Sequence, residues 1–266
     1  MERAVVFNAQ QFLGFEICKE LLNKGYEVLA IEHKEMVHDV NMEKWLEIGR
    51  NANVTYQLMG DKVDFQDQTY NWFVPLYDFI SEKDDSLFDE WLYHFKKLYD
   101  EMKCLIKMII FINPSQWLND STAIDQVKRS LMDKVINRAE IVVLDFYLPT
   151  IFGPWQPNTF LFQQLISRVN SQCYVDDCGD AIYIENAIHA IFQHIDEQLC
   201  GEKILLKSRE EEMWEKCIFY LSPEYQSLQI EKQRNLTYSK SIEVEEIVSF
   251  KEGLKRQMDC YLRKMQ

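Results

Sequence analysis

The sequence predicts an α/β protein built on a doubly wound, parallel sheet with a small C-terminal lobe, and three observations point to this class. Short apolar, β-branched runs of strand length alternate with amphipathic segments of helical period up to about residue 150. The chain has 266 residues, of which 47% are hydrophobic, enough for one large core. No internal repeat or low-complexity linker interrupts the pattern. Such alternation implies parallel strands joined by right-handed crossovers.

The first unit of this pattern runs from Ala4 to Glu32. It contains an apolar strand, a turn at residues 8–11, an amphipathic helix that Gly25 closes, and a second strand that ends on the acidic Glu32. Strand, tight turn, helix, strand and carboxylate within about thirty residues is the plan of a dinucleotide-binding βαβ unit. The sequence therefore predicts a Rossmann-like domain.

The later elements continue the alternation. Further strands are predicted at 54–59, 72–77, 108–112 and 140–146, and helices at 42–48, 87–107, 121–138 and 182–194. Pro75 lies inside the second of these strands and argues against a central position, because proline cannot donate to a strand ladder. We expect a Rossmann-like domain at 1–150 and a smaller substrate-type lobe at 151–266, interleaved with the end of the sheet.

Composition excludes several classes of partner. A formal net charge of -14 argues against nucleic acid and against anionic membrane surfaces, since both would be repelled. No apolar window is long enough to span a bilayer, and no signal peptide is visible at the N-terminus. The seven cysteines are irregularly spaced, as expected of reduced, mostly buried thiols. We therefore expect a cytoplasmic protein.

Four segments carry a resemblance to one family. Residues 6–14 read V-F-N-A-Q-Q-F-L-G, which resembles the V-T-G-A-T-G-F-L-G opening of the extended short-chain dehydrogenases/reductases, in particular the NAD-dependent epimerase/dehydratase family. Residues 148–154 resemble the family's R-x-P-x-x-Y-G-P segment, with Tyr147 in place of the arginine. Residues 174–181 look like Y-V-D-D-V-A-D-A, and residues 249–254 are similar to the L-x-E-G-L ending. The resemblance covers almost the whole chain in the right order.

The resemblance implies NAD as cofactor and a nucleotide sugar as ligand. Asn8 and Gln11 replace the first two loop glycines, whereas Phe12 and Gly14 match the family pattern. Glu32 would hold the adenosine ribose and favour NAD over NADP. Either Asp61 or Asp64 would lie near the adenine. The alternative is that this βαβ unit is structural and binds no dinucleotide.

The same resemblance places the acid/base site on the helix at 121–138. Family members carry a Tyr-x-x-x-Lys pair there, which exchanges the proton of a substrate hydroxyl during hydride transfer. In this chain Lys128 is present, but the tyrosine position is Ile124. Ser115 would stand for the family serine that holds the substrate oxygen. Two other Tyr-x-x-x-Lys matches, at 93/97 and 99/103, lie one element too early.

No metal site is predicted. Asp176 and Asp177 form a possible metal pair, but structural hydrogen bonding near the N-terminus of the next helix accounts for them better. The five histidines lack metal-ligand spacing. The resemblance also implies a homodimer through helices 87–107 and 121–138, although the broad apolar face of the first helix is explained equally well by burial within one subunit.

Two hypotheses follow. The first is a catalytically impaired protein of the epimerase/dehydratase type that binds a nucleotide or a partner, because loop glycines, catalytic tyrosine and arginine are lost together. The alternative is an active NAD-dependent oxidoreductase or epimerase that acts on a nucleotide sugar with an unusual acid/base residue.

Overall fold

The computed structural model describes most of the chain. The described ranges are 1–37, 43–61, 68–81, 85–102, 105–118, 141–169, 174–197, 201–224 and 236–264.

Ten strands build two sheets. They are β1 Arg3–Phe7, β2 Glu27–Glu32, β3 Val54–Leu58, β4 Tyr70–Pro75, β5 Ile106–Pro114, β6 Val142–Leu148, β7 Thr150–Phe152, β8 Ala181–Tyr183, β9 Lys203–Ser208 and β10 Lys240–Val244. Eight strands form one sheet in the order β10-β9-β6-β5-β4-β1-β2-β3, and β7 pairs with β8 separately. Every pair with a defined register is parallel. The predicted α/β class with a parallel, Rossmann-like sheet is confirmed.

Six helices are described. They are α1 Phe12–Asn23, α2 Asp85–Met102, α3 Leu161–Ser167, α4 Ile184–His194, α5 Met213–Leu221 and α6 Phe250–Lys264. The predicted helix at 121–138 lies outside the described residues. No helix within the described ranges is long and apolar enough to cross a membrane.

The chain divides into two compact units. Unit 1 comprises Met1–Ile112, Ser121–Asp145 and Leu199–Gly201, and unit 2 comprises Asn113–Asp120, Phe146–Gln198 and Glu202–Gln266. In unit 1, β1 pairs with β2 on one side and β4 on the other, so that its apolar residues 4–7 are fully buried. This burial on both faces explains why the strand reads as a continuous apolar run rather than an alternating one.

The expectation that Pro75 keeps β4 from a central position is wrong. β4 lies between β1 and β5, and its register runs from Tyr70 to Pro75 opposite Ile112. Pro75 is the last residue of the strand. A proline at that position removes a single donor at the strand end and leaves the interior of the ladder intact.

An aromatic cluster forms the core between the sheet and α2 in unit 1. The Phe95 ring centroid lies 5.0 Å from those of Phe7 and Trp91 and 5.6 Å from that of Trp72. Trp91, Phe95 and Leu98 are all buried within the single chain. Burial inside one subunit therefore accounts for the broad apolar face of this helix.

Buried aromatic side chains also hold unit 2 together. The ring centroid of Phe152 lies 5.7 Å from those of Phe162 and Tyr183. Gly253, the glycine of the L-x-E-G-L-like ending, approaches the same Tyr183 so closely that a Cβ there would lie 2.5 Å from the ring. Only glycine allows this contact, which gives the glycine of that motif a packing role.

Truncation of Phe95 tests the aromatic cluster. We expect Phe95→Ala to lower the free energy of unfolding by about 3–5 kcal/mol, because a buried aromatic ring is lost and a cavity remains. Tyr93 on the same helix is 66% exposed, so Tyr93→Ala should change that free energy by less than about 0.5 kcal/mol. Urea denaturation of both variants measures the difference, and equal losses would contradict the described packing.

Candidate functional site

The turn between β1 and α1 keeps its shape without its first two glycines. Asn8 adopts the left-handed conformation with φ of 50°, which asparagine tolerates better than other non-glycine residues. Its side-chain amide donates to the Pro75 carbonyl at 3.4 Å, and its own carbonyl accepts from the Gln11 N–H at 2.9 Å. At Gly14, a Cβ would lie 2.0 Å from the Asn8 carbonyl oxygen, so glycine is required. The expected tight turn is therefore present.

Glu32 is fully buried at the end of β2. Its Oε2 accepts from the Gln10 N–H at 2.7 Å and its Oε1 from the His33 N–H at 3.0 Å. Burial raises the pKa of this carboxyl to about 8, although both hydrogen bonds favour the ionised form. The family resemblance assigns Glu32 to the ribose of a cofactor. In the structure its carboxyl instead accepts hydrogen bonds from backbone N–H groups of the same chain.

Asp78 occupies the N-terminus of α1, and sequence reasoning missed it. Its Oδ1 accepts from the Leu13 N–H at 2.9 Å and its Oδ2 from the Gly14 N–H at 3.0 Å. Both donors belong to the first turn of the helix, whose partial positive charge favours an anion. The position of Asp78 directly after the strand predicted at 72–77 could have marked it as a candidate site residue. Nothing in the sequence indicated which groups it would contact.

Gln11 was expected to stand where a pyrophosphate would lie. Its side-chain amide instead donates to the Met36 carbonyl at 2.9 Å, which ties the loop to the 3-10 turn Lys34–Met36 after β2. The candidate cofactor residues Asn8, Gln11, Phe12, Gly14 and Glu32 are therefore brought together. Hydrogen bonds within the protein link these residues to Pro75, Gln10, Met36 and Asp78.

This arrangement does not fit the pyrophosphate of a dinucleotide. A pyrophosphate needs free N–H groups at the loop and at the helix N-terminus, and a backbone it can approach. Asn8, Ala9 and Leu13 are 0% exposed, and Gln10 and Phe12 are at most 4% exposed. The N–H groups of Gln10, Leu13 and Gly14 donate to the carboxylates described above.

Asp61 and Asp64 are the two candidates for the adenine position. Asp61 is exposed in the turn after β3, beside a cavity of about 170 Å³ that Gly60, His94 and Lys97 also line. Asp64 lies outside the described residues. The choice that the sequence left open between them stays open.

Ser115 is buried in unit 2, at the start of a 3-10 turn after β5. Its hydroxyl donates to the Asp177 carboxylate, whose other oxygen accepts from the Gly179 N–H at 2.9 Å. The Thr150 hydroxyl donates to the Asp177 backbone carbonyl at 3.1 Å. Ser115 therefore takes part in a packed polar network. Lys128 and Ile124 lie outside the described residues.

The two other Tyr-x-x-x-Lys matches differ in exposure. Tyr93 is largely exposed, whereas Tyr99 is buried against Trp72, with ring centroids 6.4 Å apart. Lys97 lines the cavity beside Asp61, and Lys103 lies outside the described residues.

Asp176 forms structural hydrogen bonds, but with another helix than expected. Its Oδ2 accepts from the Leu161 N–H at 2.8 Å, at the start of α3, and its Oδ1 from the Trp214 indole at 3.1 Å. The sequence predicted a position near the N-terminus of the following helix, α4. The Val175 N–H donates to the Thr159 carbonyl at 3.1 Å, so the residues before Asp176 lie beside the start of α3 instead. Burial raises the pKa of Asp176 to about 6.

Two histidines of unit 1 face one carboxylate. The Nε2 atoms of His33 and His94 lie 3.7 and 3.9 Å from Glu90 Oε1, which the Lys34 ammonium also approaches at 3.3 Å. Burial lowers the pKa of His33. Within the described ranges, no three His, Cys, Asp or Glu side chains are placed to hold a metal ion.

The raised pKa of Glu32 gives a pH prediction. A carboxyl whose pKa is higher in the folded than in the unfolded protein stabilises the fold at low pH, and this contribution is lost as pH rises through the folded value. Glu32→Gln cannot ionise. We expect the unfolding free energy of the wild type, relative to this variant, to fall by roughly 2–4 kcal/mol between about pH 5 and pH 8.

Chemical denaturation at several pH values measures this difference. The control is Glu35→Gln, since the Glu35 side chain is 63% exposed, and its stability should follow that of the wild type at every pH. If the curves of the wild type and Glu32→Gln run parallel, the buried carboxyl does not titrate as described.

Comparison with known proteins identifies the fold. No family model and no curated protein sequence matches the chain. Among solved structures, the UDP-glucuronic acid 4-epimerase of Bacillus cereus in complex with NAD matches with a TM-score of 0.68 and 16% identity, over 97% of this chain and 96% of that one. The dTDP-glucose 4,6-dehydratase of Bacillus anthracis, also with NAD, matches with a TM-score of 0.67 and 12% identity, over 99% and 97%.

A third structure extends the comparison to a nucleotide-sugar complex. The UDP-glucose 4-epimerase of Thermotoga maritima, solved with UDP-glucose, matches with a TM-score of 0.63 and 12% identity, over 99% of this chain and all of that one. Identities this low show the fold alone. The chain has the fold of the NAD-dependent epimerases and dehydratases, that is, of the extended short-chain dehydrogenases/reductases.

Proposed function

We propose that this chain is a catalytically impaired protein of the epimerase/dehydratase type, which uses the fold to bind a nucleotide ligand or a partner. The observation that carries this proposal is the burial and hydrogen bonding of the Ser115 side chain. Its side chain is buried, and its hydroxyl is bound to the Asp177 carboxylate. Because a hydroxyl has one proton to donate, it cannot in this arrangement also donate to a substrate oxygen.

The sequence adds a second, independent loss. Position 124 holds isoleucine where the resemblance places the acid/base tyrosine. An aliphatic side chain has no proton to exchange with a substrate hydroxyl. A single change of this kind could be offset by a neighbouring group. Loss of the tyrosine together with internal use of the serine favours loss of catalysis.

The alternative is an active NAD-dependent oxidoreductase or epimerase that acts on a nucleotide sugar. It is favoured by the fold and by Glu32, which stands at the end of β2 where a ribose-binding acid belongs. Solved structures of the same fold contain NAD and UDP-glucose. This alternative needs another acid/base group in place of Ile124.

A turnover assay tests the proposal. The purified chain is incubated with NAD and, in turn, UDP-glucose, UDP-glucuronic acid and dTDP-glucose, and products are resolved by chromatography together with NADH absorbance. We expect no product above that of the heat-denatured chain, both for the wild type and for Ile124→Tyr. Turnover by the wild type would overturn the proposal, whereas a gain of turnover in Ile124→Tyr alone would attribute the impairment to position 124 and contradict the role given to Ser115.

The Ser115 network gives a stability prediction. Ser115→Ala should lower the unfolding free energy by about 1–3 kcal/mol, because the buried Asp177 carboxylate loses a donor. Ser241→Ala, at an exposed position on β10, should have an effect within about 0.5 kcal/mol. Urea denaturation measures both. An undiminished stability in Ser115→Ala would show that the hydroxyl is free for a ligand.

We also propose a cytoplasmic homodimer. The four described cysteines, at 18, 178, 217 and 260, are free thiols, which fits a reducing compartment. The dimer would use the helices predicted at 87–107 and 121–138, and among the described residues of the first, which ends at Met102, Tyr93 has a large exposed side chain. Light scattering at micromolar concentration should give twice the 31.8 kDa of the chain. A mass equal to one chain would exclude the dimer.

A further inference from the structure

We infer that Asp78 and Glu32 are built-in carboxyl acceptors for the N–H groups of the β1–α1 loop, and that this loop therefore accepts no dinucleotide. The inference rests on the proposed function and narrows it. If the inference holds, the ligand or partner of the proposed function binds to another part of the protein. It concerns only residues of unit 1.

The first step concerns the donors at the start of α1. A helix N-terminus binds an anion through its free N–H groups, aided by the helix dipole. Here the two oxygens of one carboxylate, that of Asp78, each accept one of these N–H groups, from Leu13 and Gly14, at 2.9 and 3.0 Å. A phosphate oxygen could reach these donors only by displacing Asp78.

The second step concerns the loop itself. The Gln10 N–H donates to Glu32, the Gln11 N–H to the Asn8 carbonyl, and the Ala9 N–H to the Ile31 carbonyl. Each of these groups is satisfied inside the protein, as buried backbone donors must be. A ligand at this loop would have to break these bonds and offer equivalent acceptors.

The third step concerns access. Two hydrogen bonds join the segment that follows β4 to the helix start, from the Leu13 and Gly14 N–H groups to Asp78, and a third joins Asn8 to the carbonyl of Pro75, the last residue of β4. The segment is a 3-10 turn, Leu76–Ser81, in which the Ser81 hydroxyl donates to the Asp78 carbonyl at 3.1 Å. Asn8, Ala9 and Leu13 have no exposed surface, so a pyrophosphate finds no accessible backbone at these positions.

The fourth step concerns charge. Asp78 already disfavours the ionised form of Glu32, since after burial it is one of the groups that raise the pKa of this carboxyl. A pyrophosphate would add two further negative charges to this buried site, and the loop supplies no cationic side chain in residues 8–14. Charge and lack of space therefore both oppose a dinucleotide at this loop.

Two measurements on the full chain test the inference. Isothermal titration of the wild type with NAD and NADH should show no saturable binding up to about 1 mM. Hydrogen exchange of residues 8–15 should be slow in the wild type and about 10- to 100-fold faster in Asp78→Ala, because two protected N–H groups lose charged acceptors. Asp89→Ala, at an exposed position on α2, should exchange like the wild type.

A second variant keeps the test usable if the first one does not fold. If Asp78→Ala does not fold, Asp78→Asn keeps one acceptor oxygen and should show intermediate exchange. Saturable binding of NADH by the wild type overturns the inference, and so does wild-type exchange as fast as that of the Asp78 variants. Binding without turnover refutes this inference alone, whereas binding with turnover refutes the proposed function as well.

Discussion

A buried loop must satisfy its own backbone donors, and this requirement shapes the β1–α1 region of the molecule. The loop follows the central strand of unit 1 and has almost no exposed surface, so water cannot serve its N–H groups. The chain meets the requirement with two carboxylates, one from the end of β2 and one from the turn after β4. The positions of α1, β2 and the turn after β4 are thereby fixed relative to β1.

The local part of this arrangement could be predicted from the sequence. The period of the apolar residues gave β1, α1 and β2, because each of these signals arises within one element. The tight turn was predictable from Asn8, which tolerates positive φ, and the retained Gly14 marked a close approach. The prediction that Pro75 excludes a central strand is wrong because a proline has this effect inside a strand and not at its end. Strand ends can be predicted from sequence only to within a few residues.

The tertiary part could not be predicted. Asp78 and the N–H groups it accepts are 64 and 65 residues apart in sequence, and no spacing rule links them. Ser115 and Asp177 are 62 residues apart, and each looked like a candidate for separate chemistry. The family resemblance assigned a role to each of these residues from its position in the sequence. The structure pairs them with each other, and it is the pairing that decides whether a polar side chain is available to a ligand.

The same requirement bears on whether the β1–α1 loop gains stability from a cofactor. In a protein that binds a dinucleotide, the cofactor supplies acceptors for the loop, and a ligand at 100 times its Kd adds about 2.7 kcal/mol of stability. A chain without such a ligand would leave these N–H groups unsatisfied, at a cost of about 1–3 kcal/mol for each buried one. Acceptors from Asp78 and Glu32 remove that cost in every copy of the protein, at any ligand concentration. A loop stabilised in this way no longer depends on a cofactor to fold, and for the same reason it has little to gain by binding one.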